Sequence, residues 1–413
     1  MCIIIPFKAV RPPKEFVQDV ASYPYDIIDT EEARTITENN PRSFLHVVKS
    51  EIDLPPHVDI HDERVYSKAK ENFNNFLHDG TLFQEQKPSF YVYRQQMGEH
   101  RQYGIVGCVS VDEYESGRIK KHELTRPDKE ADRTKHIAAL NAQTGPVFLA
   151  YRRRQLLDQI VQEIADGVPE YDFTADDGIS HTAWIMSDEN TIEIIQKEFL
   201  AIDALYIADG HHRAASAAAV ARMRRADNPG YSGHEEFNFM MAVIFPGYQL
   251  KVLAYNRVVK DLNDLSATEF MDKVEEKFIV TENFIKKVPE QLHEFGMYIK
   301  GSWYRLRAKE DTYIDRDVIG TLDVSLIQDH LLGPILGIGD VRTDERIMFV
   351  GGIRGVEELE QLVDSGECAV AFSLYPTTIH QLADVADTDK LMPPKSSWFE
   401  PKLRSGMFVH LID

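Results

Sequence analysis

Between residues 146 and 245 short strand-like runs alternate with helix-patterned stretches, and this alternation restricts the fold most. The runs "PVFLAY", "HTAWIM", "ALYIA" and "FMMAVIF" are rich in β-branched and aromatic residues. Between them lie a helical stretch at 152–168, "SDENTIEIIQKEF" and the alanine-rich "HHRAASAAAVARMRR". Strands alternating with helices imply mixed sheets with flanking helices, an α/β to α+β fold. Ser187 is the expected N-cap of the second helix.

Ahead of this stretch, "SFYVYRQ" and "QYGIVGCVSV" read as two strands of a hairpin around a glycine-containing turn. "TRPDKEADRTKHIAALNAQTG" reads as a helix, with Pro127 in its first turn and acids following. The first 90 residues, full of turn signals such as "RPPKE" and "DLPPHVD", suggest short linked elements. After residue 250 the pattern restarts. "SATEFMDKVEEKF", "GVEELEQLVDSG" and "TIHQLADVADT" read as helices; "SWYRLRAK", "RIMFVGG" and "CAVAFSLYP" read as strands. "DVSLIQDHLLGPILGI" reads as a helix broken at Gly333-Pro334, and the closing "GMFVHLI" as a strand. The expected division is an N-terminal α/β region at 1–255 and a C-terminal one at 256–413.

A formal charge of −21 over 413 residues argues against nucleic acid or an anionic membrane as a general partner. No apolar stretch approaches the roughly 20 residues needed to span a bilayer. Cys2, Cys108 and Cys368 are widely spaced and form no metal framework, so a reducing cytoplasm is the expected location. Apolar edge strands expected in both halves would suit a homodimer.

Asp209-Gly210-His211-His212-Arg213 stands between a strand and the alanine helix. Such a turn offers unpaired backbone N–H groups and the positive end of a helix dipole, which together favour an anion. Gly210 allows close backbone approach or a positive φ. Asp209 could cap the helix, hold a substrate amine or hydroxyl, or act as a base. Arg213 suits a phosphate or carboxylate. Adjacent histidines on a helix diverge by about 100°, so His211 and His212 do not chelate one ion, and no metal ligand set is assigned. The competing bland reading is an Asp-capped helix with solvated histidines.

Two further patches concentrate cations. "RIKKHELTRPDKEADRTKH" (118–136) carries Arg126 and Lys129 among its bases, with Glu123 and Glu130 as candidate general bases or magnesium ligands. "MPPKSSWFEPKLRSG" (392–406) is a shaped loop whose Lys395, Ser396, Lys402 and Arg404 suit phosphate. Either patch can also be an ordinary solvated surface.

Taken together, "SYPYDII", "NNPRSFLHV", "HELTRPDKEADRTKHI", "NAQTGPVF", "ADGHHRAASA", "YNRVVKDL", "VGGIRG" and "MPPKSSWFEPKLRSGMFVH" closely resemble the family called domain of unknown function 1015, over essentially the whole chain. That family is often described as related to the ParB proteins. The Asp209 turn is also similar to the Asp-Gly-His-Thr-Arg turn of ADP-dependent free-serine kinases, members of the wider ParB and sulfiredoxin nucleotide-binding superfamily. The resemblance implies a core of that kind, with Asp209 and His211 near a serine-like substrate and Arg213 near phosphate. A separate glutamate would be the base, with Glu123 and Glu130 as candidates. His212 replaces the threonine of the kinase turn. Sulfiredoxin chemistry needs a cysteine here, and there is none.

The expected function is a cytoplasmic phosphotransferase or phosphohydrolase acting on serine or phosphoserine, with Mg2+ and an adenine nucleotide. Two rival readings are a ParB-like nucleotide-binding regulator without turnover and a histidine-dependent metal hydrolase.

Overall fold

The structure is a computed structural model that describes residues 2–314 and 316–413. Contacts divide it into two units. One runs to Leu250 and includes Pro401–Asp413; the other is Lys251–Glu400. The terminal segment therefore belongs with the first unit, although the chain enters it from the second. Its strand is short: His410–Leu411 pairs with Ala142–Gln143. Backbone hydrogen bonds from Ser405 to Ser22 and from Val409 to Val10 stitch in the rest.

The first unit is built on a nine-stranded mixed sheet. Its strands are β1 (Ile4–Ile5), β2 (Phe90–Met97), β3 (His100–Ser110), β4 (Ile119–Lys120), β5 (Val147–Tyr151), β6 (Tyr171–Thr174), β7 (Ser180–Met186), β8 (Leu205–Asp209) and β9 (Phe239–Pro246). The spatial order is β4-β8-β5-β9-β3-β2-β7-β6, with β1 paired to β3. β2 and β3 form the expected hairpin, turning at Gly98, whose φ is 60°. β5 and β9 are buried along their whole length, as continuous apolar runs covered on both faces should be.

The longer helices of this unit are α1 (Glu63–His78), α2 (Pro127–Leu140), α3 (Gln155–Ala165), α4 (Glu189–Leu200) and α5 (His211–Asp227). α1 departs from the expected run of short elements. Val65, Ala69, Phe73 and Phe76 line one face of it, and Asp62 caps its start. Asp188, not Ser187, caps α4 by accepting from the Thr191 N–H. In α5, Ala214, Ala215, Ala217, Ala218 and Ala221 are all buried. Small side chains let α5 lie so close to α2 that Ser216 Oγ donates to the Glu130 carbonyl at 3.1 Å.

The second unit carries a six-stranded sheet in which every pairing is antiparallel. The helices Ala267–Lys277, Glu357–Asp364 and Ile379–Asp387 accompany it, two of them closed by capping boxes at Ser266 and Thr378. The helix expected at 323–338 is short. It runs over Asp323–Ile327 and loosens into a wider turn at Gln328–Leu332, before Gly333-Pro334. Cys2, Cys108 and Cys368 are buried free thiols. Among the described residues no helix is long and apolar enough to cross a membrane.

Candidate active site at the Asp209 turn

β4 and β8 are neighbouring parallel strands, with Ile119 opposite Leu205 and Lys120 opposite Tyr206. Their C-terminal ends therefore open side by side. Each leads through a loop into a helix, β4 into α2 and β8 into α5. In open α/β sheets the crevice outside such strand ends is where ligands bind.

The two helix N-termini meet there. Gly210 precedes α5 with φ 89°, a left-handed conformation that costs other residues energy. No side chain caps α5, so Asp209 is not its N-cap. Arg126 precedes α2, with Pro127 in the first turn and no side-chain cap. The two starts are tied directly, since the Arg126 N–H donates to His212 Nε2 at 3.0 Å. Each uncapped end presents backbone N–H groups and the positive end of its helix dipole.

The side chains divide into three groups. Beside Asp209, Lys402 arrives from the terminal segment and places Nζ 3.4 Å from Oδ2. Burial alone would raise the Asp209 pKa. Lys402, then Arg213, outweigh it and hold this carboxyl below its ordinary value. Asp209 is accordingly a fixed anion rather than a base poised near neutrality.

On the other side of the turn His211 faces His122, with ring centroids 4.5 Å apart and planes at 86°. Glu123 completes this cluster: one ligand atom from each of the three residues lies within 4.8 Å of the others. Burial drives the His122 pKa down to about 4, and burial followed by the His122 charge drives that of His211 far below its ordinary value. Both rings are neutral at pH 7. His211 and His212 thus point to different partners, as their helical spacing requires.

The third group is structural in its contacts. Buried Arg213 donates to the Pro146 carbonyl at 2.8 Å and pairs with Asp26 at 3.2 Å. Gly145 sits against it: a Cβ there would come within 3.7 Å of Arg213 Cδ and 3.5 Å of Ser405 Oγ. Arg213 also lines a small pocket together with Tyr25, Arg133, His136 and Gln143. Arg404 pairs with Asp177, donates to His181 Nε2 at 3.2 Å and lies 4.1 Å above the Tyr23 ring. His181 Nδ1 in turn meets the Tyr93 hydroxyl at 2.7 Å. Arg404 is thereby committed to holding the terminal segment in the unit.

The remaining expected residues are more scattered. Exposed Arg126 pairs with Asp128 at 2.8 Å. Lys129 lies half-buried in the first turns of α2, and Glu130 accepts from Thr125 Oγ1 at 2.9 Å. Lys395 and Ser396 belong to the second unit. There the Lys395 carbonyl accepts from buried Arg257 at 3.0 Å, and the Ser396 carbonyl accepts from Thr377 Oγ1 at 2.7 Å. His122 and Asp26 were absent from the sequence-based candidates. The "HEL" preceding α2 was the available sign of the first; nothing local marks the second.

A model of the family described as a protein of unknown function, DUF1015, matches residues 4–325. The chain belongs to this DUF1015 family. No curated protein matches it. Among solved structures it is similar to a free serine kinase in complex with AMP, at 12% identity and TM-score 0.34, over 72% of this chain and 86% of that one. A conserved hypothetical protein from Pyrococcus furiosus gives 13% identity and TM-score 0.34, over 75% of this chain and 95% of that one. SbnI with a C-terminal truncation, from Staphylococcus aureus, gives 10% identity and TM-score 0.38, over 74% and 87%. Likenesses of this strength leave the chemistry of this DUF1015 member to be argued from its own side chains.

Proposed function

We propose that this DUF1015 protein transfers a phosphoryl group to or from a small hydroxy amino acid, serine or phosphoserine, using an adenine nucleotide in the kinase direction. One observation carries the reading: two uncapped helix N-termini meet beside the Lys402–Asp209 pair and the exposed Glu123 carboxylate. Phosphoryl transfer asks a protein chiefly for positioning and for fixed positive charge around the transferring group. Helix ends and an ammonium supply that charge without reorganising.

In the kinase direction Glu123 accepts the proton of the substrate hydroxyl. The hydroxyl oxygen forms its bond to phosphorus as the bond to the departing nucleotide oxygen breaks. Asp209, held ionised by Lys402, receives the substrate ammonium. The first turns of α2 and α5 and Lys402 face the phosphoryl oxygens. Lys129 adds positive charge at the start of α2, while Arg213 and Arg404 act by fixing the turn and the terminal segment.

Magnesium takes oxygen donors and keeps several of its waters. The cluster beside the turn, two imidazoles to one carboxylate, does not fit that preference, and no step here passes through magnesium.

The test is ligand-dependent stabilisation. A ligand that binds only the folded state raises the melting midpoint. Phosphoserine, serine, ADP and ATP are each added to wild type, Lys402→Met and Asp209→Asn. The reading requires a rise with phosphoserine or a nucleotide that shrinks in both variants. No rise with any of the four in wild type overturns it.

A further inference from the structure

His122 and Glu123 lie in the loop after β4, and His211 is the first residue of α5 after β8. The parallel pairing of those strands brings together residues nearly ninety positions apart in sequence. Three features of the resulting cluster bear on a metal. Its potential ligand atoms lie within 4.8 Å of one another. His211 is buried, and its Nε2 has no hydrogen-bond partner among the described residues. A buried nitrogen without a partner is costly, and such sites in native proteins call for an explanation. Finally, the His122 ring hydrogen-bonds the backbone of Ile207. Metal-bound histidines characteristically use their second ring nitrogen this way, which fixes tautomer and orientation.

We propose that His122, Glu123 and His211 bind one divalent transition-metal ion. Two imidazoles and one carboxylate suit zinc, cobalt, manganese or ferrous iron better than magnesium or calcium. Three protein ligands leave a coordination position for water or a substrate oxygen, as in catalytic rather than structural zinc sites. Ligand atoms around a tetrahedral ion with bonds of about 2.0–2.1 Å sit roughly 3.3 Å apart. Small side-chain rotations would close the cluster onto such an ion. This site is argued from donor atoms and not from a reaction, and it shares Glu123 with the phosphoryl-transfer reading, in which that carboxylate is unliganded.

The experiment uses full-length protein stripped with a chelator and titrated with Zn2+ or Co2+ alone, with no nucleotide or amino acid present. Bound metal is read by elemental analysis after dialysis, and Co2+ also by its visible absorption. Wild type is expected to take up one equivalent. His122→Ala and His211→Ala should each weaken binding by more than the roughly 10–100-fold that loss of an outer hydrogen-bond partner costs. His212→Ala should bind as wild type does, because that ring serves the Arg126 N–H. Glu123→Gln tests the same site at an exposed position whose change leaves the buried rings packed. Circular dichroism shows which variants remain folded. Sub-stoichiometric uptake by wild type overturns the proposal, as does undiminished uptake by folded Glu123→Gln and either histidine variant. The melting response to phosphoserine and nucleotide is scored separately, so either reading can fail alone.

Discussion

Lys402 Nζ stands 3.4 Å from Asp209 Oδ2, although 193 residues separate them in sequence. This pair joins the terminal segment to the end of β8 and sets the charge of the turn. Removing one positioned donor to the charge that develops in an acyl-transfer transition state typically costs about 100–1,000-fold in kcat, and the same scale is taken for the ammonium here. Lys402→Met is expected to lose activity in that range, with Lys402→Arg restoring part of it. Steady-state kinetics check this, and unchanged kcat in Lys402→Met would remove the ammonium from the mechanism.

The pH dependence of stability should have a definite sign. His122 and His136 are buried neutral, with pKa values pushed by burial down to about 4 and about 3; those of His181 and His211 are also lowered. An unfolded histidine titrates near 6.5. Between those limits the unfolded chain binds more protons, so stability rises with pH and is lost as pH falls from about 6.5 toward 4. Each such histidine contributes roughly 1.4 kcal/mol per pH unit inside its window. Asp209 adds to the same trend at lower pH, because its depressed pKa lends stability above about 3.9 that is lost on further acidification. Denaturant melts from pH 7 to 4.5 should show a steep decline, shallower in His136→Asn.

The close approach of α5 to α2 rests on small side chains. Ser216 is fully buried and bonds the Glu130 carbonyl. Ser216→Leu should destabilise by about 1–3 kcal/mol through overpacking and part the two helix starts. Urea melts measure the first effect, and reduced nucleotide binding the second. Ser216→Ala should be much milder.

Arg213 is expected to act through structure. Its side chain is 9% exposed, and its removal leaves Asp26 and the Pro146 carbonyl without their partner. Arg213→Met should therefore cost about 1–3 kcal/mol. Wild-type stability in Arg213→Met, with activity lost, would instead assign Arg213 to the phosphate.

The Asp209 turn was legible in the sequence because its residue types are special to one kind of place. Gly210 is the residue a positive φ favours. The helical divergence of adjacent histidines also held, with His211 turned to His122 and His212 to Arg126. What the sequence concealed was pairing over distance. His122 gains meaning only once β4 lies parallel to β8, and Asp26 only once the early loops reach α5. The same limit explains the terminal strand. "GMFVHLI" reads as the close of the second region, yet its partner Ala142–Gln143 lies far back in the first. Helix caps failed for a nearer reason: Ser187 and Asp188 are both competent, and backbone geometry selects Asp188.

Turnover at the Asp209 turn is the most direct test of phosphoryl transfer. Serine with ATP or ADP, and separately phosphoserine, are incubated with wild type, Glu123→Gln and Lys402→Met and followed by phosphorus NMR. The expected result is a phosphoserine signal made or consumed by wild type and strongly reduced in both variants. Phosphoserine neither made nor consumed by folded wild type, or turnover undiminished in Glu123→Gln and Lys402→Met, would contradict it.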